Sequence, residues 1–350
     1  MIKERKKIRV GVTAGDLNGI GMEVIIKTFE DKRMMDFCTP IIFSSSKASL
    51  YHRKFLNIKN FNFNIINDFN KVNDKQVNLI NCWEEDLKIN LGEVSSEIGK
   101  HAYISLEKAK DALKNNNIDV LVTAPINKSA IQKSEKNFIG HTEYLEQNFK
   151  GEALMMMISE NMKIAFATSH VPLAKVSKMI TEKKIIDLLS SMNNTLLQDF
   201  GIRKPKIAVI GLNPHAGESG TLGDEENKII IPAINKSKNN NVLAFGPYPA
   251  DSFFTSSNLK RFDAILSMYH DQGLTPFKTL SFSEGVNYTS GLNIIRTSPV
   301  HGTAFDIAGK NVANPQSFRE SIFLACKIIK KRREYVNLKN NSLKFEKSEH

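Results

Sequence analysis

Short β-branched and apolar runs alternate along the chain with longer stretches whose apolar positions recur at helical spacing. The runs Ile8–Val12, Ile41–Ser44, Val77–Asn81, Val120–Thr123, Lys163–Thr168, Lys206–Ile210, Val242–Phe245 and Phe262–Ser267 predict strands. Gly21–Phe29, Ala102–Lys114, Thr142–Asn148, Lys183–Phe200, Glu225–Lys238 and Ser317–Arg333 predict helices. Nearly continuous apolar strands separated by helices imply parallel βαβ units, so the expected class is α/β with helices on both sheet faces. Polar motifs begin where several of these strands stop, at Thr13–Gly21, Thr123–Lys128, Ser169-His170, Gly211–Gly217 and Met268–Gly273. In open α/β sheets, ligands collect beyond the carboxyl ends of strands, so these ends are where a site is expected.

Composition narrows the choice. With 350 residues, 41% of them hydrophobic, the chain predicts a folded protein of about two domains. The net charge of +11 is diffuse, with its densest runs at Lys3–Lys7 and Lys327–Arg333 and no aromatic interleaving. That pattern suits attraction of small anions and argues against a nucleic-acid groove. Three widely spaced cysteines, Cys38, Cys82 and Cys326, exclude a CxxC zinc motif and a disulfide framework, and predict reduced thiols in a cytoplasm. The N-terminus shows no signal-peptide apolar region, and no apolar run reaches membrane-spanning length.

The densest chemistry lies in residues 268–314. His141, His170, His215 and His270 follow or open apolar strand patterns, and three imidazoles with an open position suit a catalytic divalent ion. Lys278 and Arg296 flank Asn287, a set able to give a phosphate monoester point charge, a planar fork and a neutral donor. The early loop holds Gly19 and Gly21 but lacks the third glycine and the later acidic residue of a Rossmann fingerprint, which excludes that mode of dinucleotide binding. The better nucleotide candidate is His301–Pro315, with Gly302, Thr303, Ala304, Asp306 and Asn314. There the Asp306 carboxylate can accept from the ribose hydroxyls of NAD and repel the 2′-phosphate of NADP. The plainer reading is a glycine-containing loop before the last helix, with Asn314-Pro315 at its start.

Taken in order, these motifs resemble the 4-hydroxythreonine-4-phosphate dehydrogenase family of the vitamin B6 pathway, from about Ile8 to about Arg332. The resemblance rests on Thr-Ala-Gly-Asp-Leu-Asn-Gly-Ile-Gly (13–21), Thr-Ala-Pro-Ile-Asn-Lys (123–128), Gly-His141-Thr142-Glu143 and Ser-His170-Val-Pro-Leu. It continues through Gly-Leu-Asn-Pro-His215-Ala-Gly-Glu, Gly-Pro-Tyr-Pro-Ala-Asp251, Met-Tyr-His270-Asp271-Gln-Gly, Gly-Val-Asn287, Ile-Arg296-Thr-Ser and His-Gly-Thr-Ala. The 301–315 loop also looks like the adenosine loop of isopropylmalate dehydrogenases. Ala14 and Asp16 stand where many members carry Pro and Glu, and Ser283-Glu284 where some carry Gly-Arg, which makes the phosphate pocket less positive.

The resemblance implies two α/β/α domains with a cleft between them, isocitrate/isopropylmalate dehydrogenase-like. The first would comprise 1–135 with 300–335, the second 136–299, followed by a polar tail 336–350. It implies that His170, His215 and His270 bind a divalent metal (zinc, cobalt, manganese or magnesium) shared across a homodimer. It assigns His141, Thr142, Lys278, Asn287 and Arg296 to the phosphorylated substrate and leaves Asp271 and Asp251 as candidates for proton transfer. The implied reaction is NAD-dependent oxidation of 4-phosphooxy-L-threonine at C3, then decarboxylation to 3-amino-2-oxopropyl phosphate. A sister activity on D-threonate or D-erythronate 4-phosphate shares the metal, phosphate and NAD sites and differs at the substrate amine. A metal-dependent lyase or acyltransferase without redox chemistry is the rival from another class, and Asp306 with its loop argues against it. A binding module without chemistry would leave the metal-like and phosphate-like sets unused.

Overall fold

Among the described residues, twelve strands join one sheet: β1 Arg9–Thr13, β2 Thr39–Ser44, β3 Phe63–Ile66, β4 Val77–Asn81, β5 Val120–Thr123, β6 Gly151–Ile158, β7 Lys163–Phe166, β8 Lys206–Ile210, β9 Leu243–Tyr248, β10 Ala264–Ser267, β11 Val286–Leu292 and β12 Arg296–Pro299. The structure, a computed structural model, describes residues 7–281 and 283–341. Most of the basic run Lys3–Lys7 and the tail residues 342–350 lie outside them. The strand order is β3-β4-β2-β1-β5-β12-β11-β6-β7-β10-β8-β9.

All eight strands expected from the sequence form, and β3, β6, β11 and β12 are additional. The additions change the topology. β5 and β12 pair in parallel, but β12, β11, β6 and β7 follow one another antiparallel. The strands from β3 to β12 therefore run opposite to those from β7 to β9. The expectation of parallel units holds within each flank, and the centre departs from it.

The hydrophobic core reflects this. On one face a single cluster runs across both flanks, from Val10, Val12 and Val122 through Met156, Tyr288 and Ala165 to Val209 and Leu266. The helices Gly21–Glu30, Glu182–Phe200 and Gln316–Asn340 cover this face; Ile25, Leu189 and Ile322 are fully buried. On the other face the core divides. One cluster, around Phe43, Leu106 and Leu121, lies under helix Ser96–Lys114; another, around Ile164, Ile210, Phe253 and Phe277, covers the second flank. Between them the central strands present polar side chains. Among the described residues no helix is long and apolar enough to cross a membrane.

Candidate active site

The gap in the divided core is a cavity of about 360 Å3. Its floor follows from strand register. Asn287 sits opposite both Met157 and Ser298, and Thr289 opposite both Met155 and Arg296. Side chains on one face of a strand recur every second residue, so these six share the cavity face. Arg296 is almost wholly buried, and the threonine hydroxyls aim it: Nε and Nη2 donate to Thr123 Oγ1 at 3.1 and 2.7 Å, and Nη1 donates to Thr289 Oγ1 at 3.1 Å. Burial lowers its pKa to about 10, with the Glu143 charge opposing that fall, so the guanidinium stays a cation.

Two walls complete the cavity. Helix His141–Asn148 opens with His141, Thr142 and Glu143, all on the lining. Burial first, then the charges of Arg296 and Lys128, hold His141 well below the usual imidazole range, so it is neutral at pH 7. Helix His270–Ser281 supplies His270, Leu274 and Lys278, spaced four residues apart and hence on one helical face. Three lining polar atoms have no hydrogen-bond partner although buried: His141 Nε2, Asn287 Oδ1 and His301 Nε2. Buried polar atoms are costly to leave unpaired, and three around one cavity are prepared for a polar ligand.

The cavity's far end carries His170 and His270, with ring centroids 5.9 Å apart. Burial first, then the Lys128 charge, draws His170 below its ordinary value, which leaves a neutral imidazole. His270 Nδ1 lies 2.6 Å from Asp271 Oδ1. That pairing fixes the ring and frees Nε2, as a histidine prepared for a metal requires. Thr168 Oγ1 donates to the Met268 carbonyl, tying the two histidine turns together. A second cavity of about 380 Å3 lies on the outer side of the same two imidazoles, walled by Val171, Leu173, Val176 and Tyr269. Leu173 is 71% exposed there.

His215 is not on either lining. It is exposed in the turn Pro214–Gly220, where His215 to Ser219 all take positive φ. The buried Glu226 carboxylate holds this turn by accepting from Leu212 N, Asn213 N and Asn213 Nδ2. Asp251 is also exposed, on the helix Ala250–Phe253 that packs against the same turn. The structure thus brings His141, Thr142, Lys278, Asn287, Arg296, His170 and His270 to one cavity and sets His215 and Asp251 apart. Asp271 adjoins His270 but points to solvent, its side chain 82% exposed. Among the described residues, no three His, Cys, Asp or Glu side chains of this one chain gather as metal ligands.

The 301–315 loop starts at the cavity, with His301 and Gly302 on its lining, and runs away across the first flank. Ile20 N donates to the Thr303 carbonyl, and Ala313 N to Glu23 Oε1. A Cβ at Gly19 would stand 2.7 Å from Thr303 O, so that glycine serves close loop contact. Gly302 is open, with nothing within 4 Å of where its Cβ would be, and Asp306 is exposed. Ala304 takes φ 45°. Asn314 Oδ1 accepts from Gln316 N, which serves the start of the last helix.

Comparison with known proteins agrees with this geometry. The sequence profile of the family described as "Pyridoxal phosphate biosynthetic protein PdxA" matches residues 36–325. The chain belongs to this PdxA family. A 4-hydroxythreonine-4-phosphate dehydrogenase of Bacteroides thetaiotaomicron is 45% identical over 343 residues, covering 97% of this chain and 94% of that protein. A Clostridium botulinum relative named "Putative D-threonate 4-phosphate dehydrogenase" is 36% identical over 91% of this chain and 96% of its own. The crystal structure of 4-hydroxythreonine-4-phosphate dehydrogenase from Klebsiella pneumoniae superposes with a TM-score of 0.81 at 31% identity, covering 93% of this chain and 99% of that one.

In this PdxA chain, sequence reasoning missed the residues that work through others. Thr123 and Thr289 orient Arg296, and Glu226 shapes the His215 turn; none carries a signal of its own in one sequence. Lys128 and Glu143 also line the cavity. Both stood in quoted motifs, Thr-Ala-Pro-Ile-Asn-Lys and Gly-His-Thr-Glu, without a role.

Proposed function

We propose that the protein oxidises the C3 hydroxyl of 4-phosphooxy-L-threonine with NAD, and that the resulting β-keto acid loses CO2 to give 3-amino-2-oxopropyl phosphate, on the way to pyridoxal 5′-phosphate. The observation that carries this reading is one cavity holding Arg296 and Lys278 beside unpartnered His141 and Asn287 atoms, with an imidazole pair at its other end. The fixed Arg296 fork and the Lys278 charge hold the phosphate, and Thr142, Asn287 and neutral His141 supply the remaining hydrogen bonds. With the phosphate anchored, C3 falls towards His170 and His270, and the anchoring energy orients it for reaction.

The two imidazoles fit a divalent cation: burial draws His170 below its ordinary value, and Asp271 orients His270. We assign the remaining ligand to His215 of the partner subunit in a homodimer, arriving over the outer cavity beside the exposed Leu173, with Asp251 carried along in a supporting role. Gly302, Thr303, Ala304, Asp306 and Asn314 would hold NAD, Asp306 accepting from the ribose hydroxyls; the open backbone at Gly302 next to the cavity supports this. When bound, the cation supplies Lewis acidity at the C3 oxygen and NAD accepts the hydride. The chain's own part is to fix the phosphate, hold His270 through Asp271, and keep the reacting carbon within the cavity. We place the division between two lobes where the core splits, near residues 135 and 300. The free cysteines of the described residues support a reducing, cytoplasmic setting.

The Clostridium relative keeps D-threonate 4-phosphate as a second reading. Both are tested by NADH production from each phosphoester, with and without a chelator. Chelator-sensitive turnover of 4-phosphooxy-L-threonine is expected. Preference for D-threonate 4-phosphate moves the pathway and keeps the chemistry. No NADH from either, with zinc, cobalt or magnesium supplied, overturns the reading.

A further inference from the structure

The cavity carries more charge than phosphate binding uses. Three cations line it, Lys128, Lys278 and Arg296, with a single carboxylate, Glu143, among the described residues. Lys278 and Arg296 suffice for the phosphate. Lys128 and Glu143 remain, side by side. A Cβ on Gly140 would lie 2.8 Å from Glu143 Oε2 and 3.1 Å from Lys128 Nζ, so both charged ends border the space that this glycine leaves empty. They do not close an ion pair with each other among the described residues, and both stay turned to the cavity. Lys128 opens the helix Lys128–Gln132 and Glu143 lies in the first turn of His141–Asn148, so short helices from two elements set the pair.

Their placement along the cavity is also informative. The Glu143 charge acts on both Arg296 and His170, and the Lys128 charge on both His141 and His170. The pair thus lies near His170 as well as near His141 and Arg296. Resting on the function proposed above, the substrate has a phosphate at C4, the reacting hydroxyl at C3, and an ammonium and a carboxylate at C2 and C1. The D-threonate compound has a hydroxyl in place of the ammonium. Two anionic groups and one cationic group match three cations and one carboxylate.

We propose that Glu143 and Lys128 form the subsite that reads the amino-acid end of the substrate, Glu143 receiving the ammonium and Lys128 the carboxylate, and that Glu143 determines the preference for the aminated phosphoester over its hydroxy analogue. A carboxylate facing an ammonium gains a charge-assisted bond. Facing a hydroxyl it keeps only one weaker bond, so the aminated compound is favoured.

The test compares kcat/KM for 4-phosphooxy-L-threonine and D-threonate 4-phosphate in the wild type, Glu143→Gln and Lys128→Met. Calorimetric binding of both compounds and of inorganic phosphate, without NAD, accompanies it. Glu143→Gln should lower the aminated-to-hydroxy ratio by roughly 100-fold in turnover and shift the binding ratio the same way. Lys128→Met should weaken both substrates together. Phosphate binding by each variant establishes that the cavity is folded. A ratio that holds in Glu143→Gln, with phosphate still bound, overturns the subsite and leaves the function standing. A wild type that itself prefers D-threonate 4-phosphate overturns the subsite and moves the pathway, while the chemistry stands.

Discussion

The two ends of the cavity differ in completeness. The end proposed above to hold the phosphate is finished within one chain: Arg296 is buried and held by Thr123 and Thr289, and Lys278, Thr142, His141 and Asn287 surround the same space. The metal end is not. It has two imidazoles with an outer cavity behind them, while His215 projects from an exposed turn elsewhere. The difference separates two tasks. On the function proposed above, recognition of the phosphorylated end is built into the folded subunit, whereas the reacting end would wait for assembly.

The strongest way to break this comparison is at the incomplete end. His270→Ala should lower kcat by roughly 1000-fold or more while inorganic phosphate still binds. Steady-state kinetics with calorimetry would show it, and equal losses of phosphate affinity and turnover would dissolve the distinction. At the complete end, Lys278→Ala should raise KM by about 10- to 100-fold with a smaller change in kcat, because it removes binding shared by ground and transition states. A pure kcat effect would move Lys278 to the reacting end.

Thr289→Val sharpens the claim that Arg296 is aimed from below. It removes the acceptor for Nη1 without changing charge, and should raise KM several-fold and cost about 1–2 kcal/mol in urea unfolding. An unchanged KM would mean that Thr123 alone sets the guanidinium.

Smallest at the site is Asp16→Asn, which touches neither end. Burial raises the Asp16 pKa to about 6; Oδ1 accepts from Asn18 N, and the buried Oδ2 has no partner. A carboxyl raised in the fold contributes stability that is full below its unfolded value near 3.8 and is lost as pH rises through 6. Asp16→Asn should therefore stabilise the protein at pH 8 by up to about 3 kcal/mol and change little at pH 4. Thermal unfolding at the two pH values would check it, and an equal gain at both would contradict the buried-charge account.

What could be read in the sequence follows the same division. The flanking strands were legible because both their faces are packed: Val120–Thr123 and Lys206–Ile210 are apolar runs with sharp limits. The central strands were hidden because one face lines a polar cavity. In Val286–Leu292 and Arg296–Pro299, Asn287, Thr289, Arg296 and Ser298 replace the apolar residues that a core would demand. Helix His270–Ser281 was hidden by Gly273 and Pro276, which read as turn residues but are accommodated within it. The cavity's His, Lys and Arg side chains were visible because such residues are distinctive where apolar runs end. The hydroxyls that aim them were not, since threonine is ordinary in strands. Nor could sequence place His215 outside the cavity, because that depends on a turn shaped by Glu226.

The central claim, that the reacting end is assembled from two subunits, is tested most directly by mixing two inactive variants. His215→Ala keeps His170 and His270, and His270→Ala keeps His215. Dissociated and reassociated in equal amounts, the two should recover roughly a quarter of wild-type turnover, because half of the dimers would be mixed and each would contain one intact site. No recovery, in a mixture shown by native mass measurement to contain the mixed dimer, would contradict the shared site.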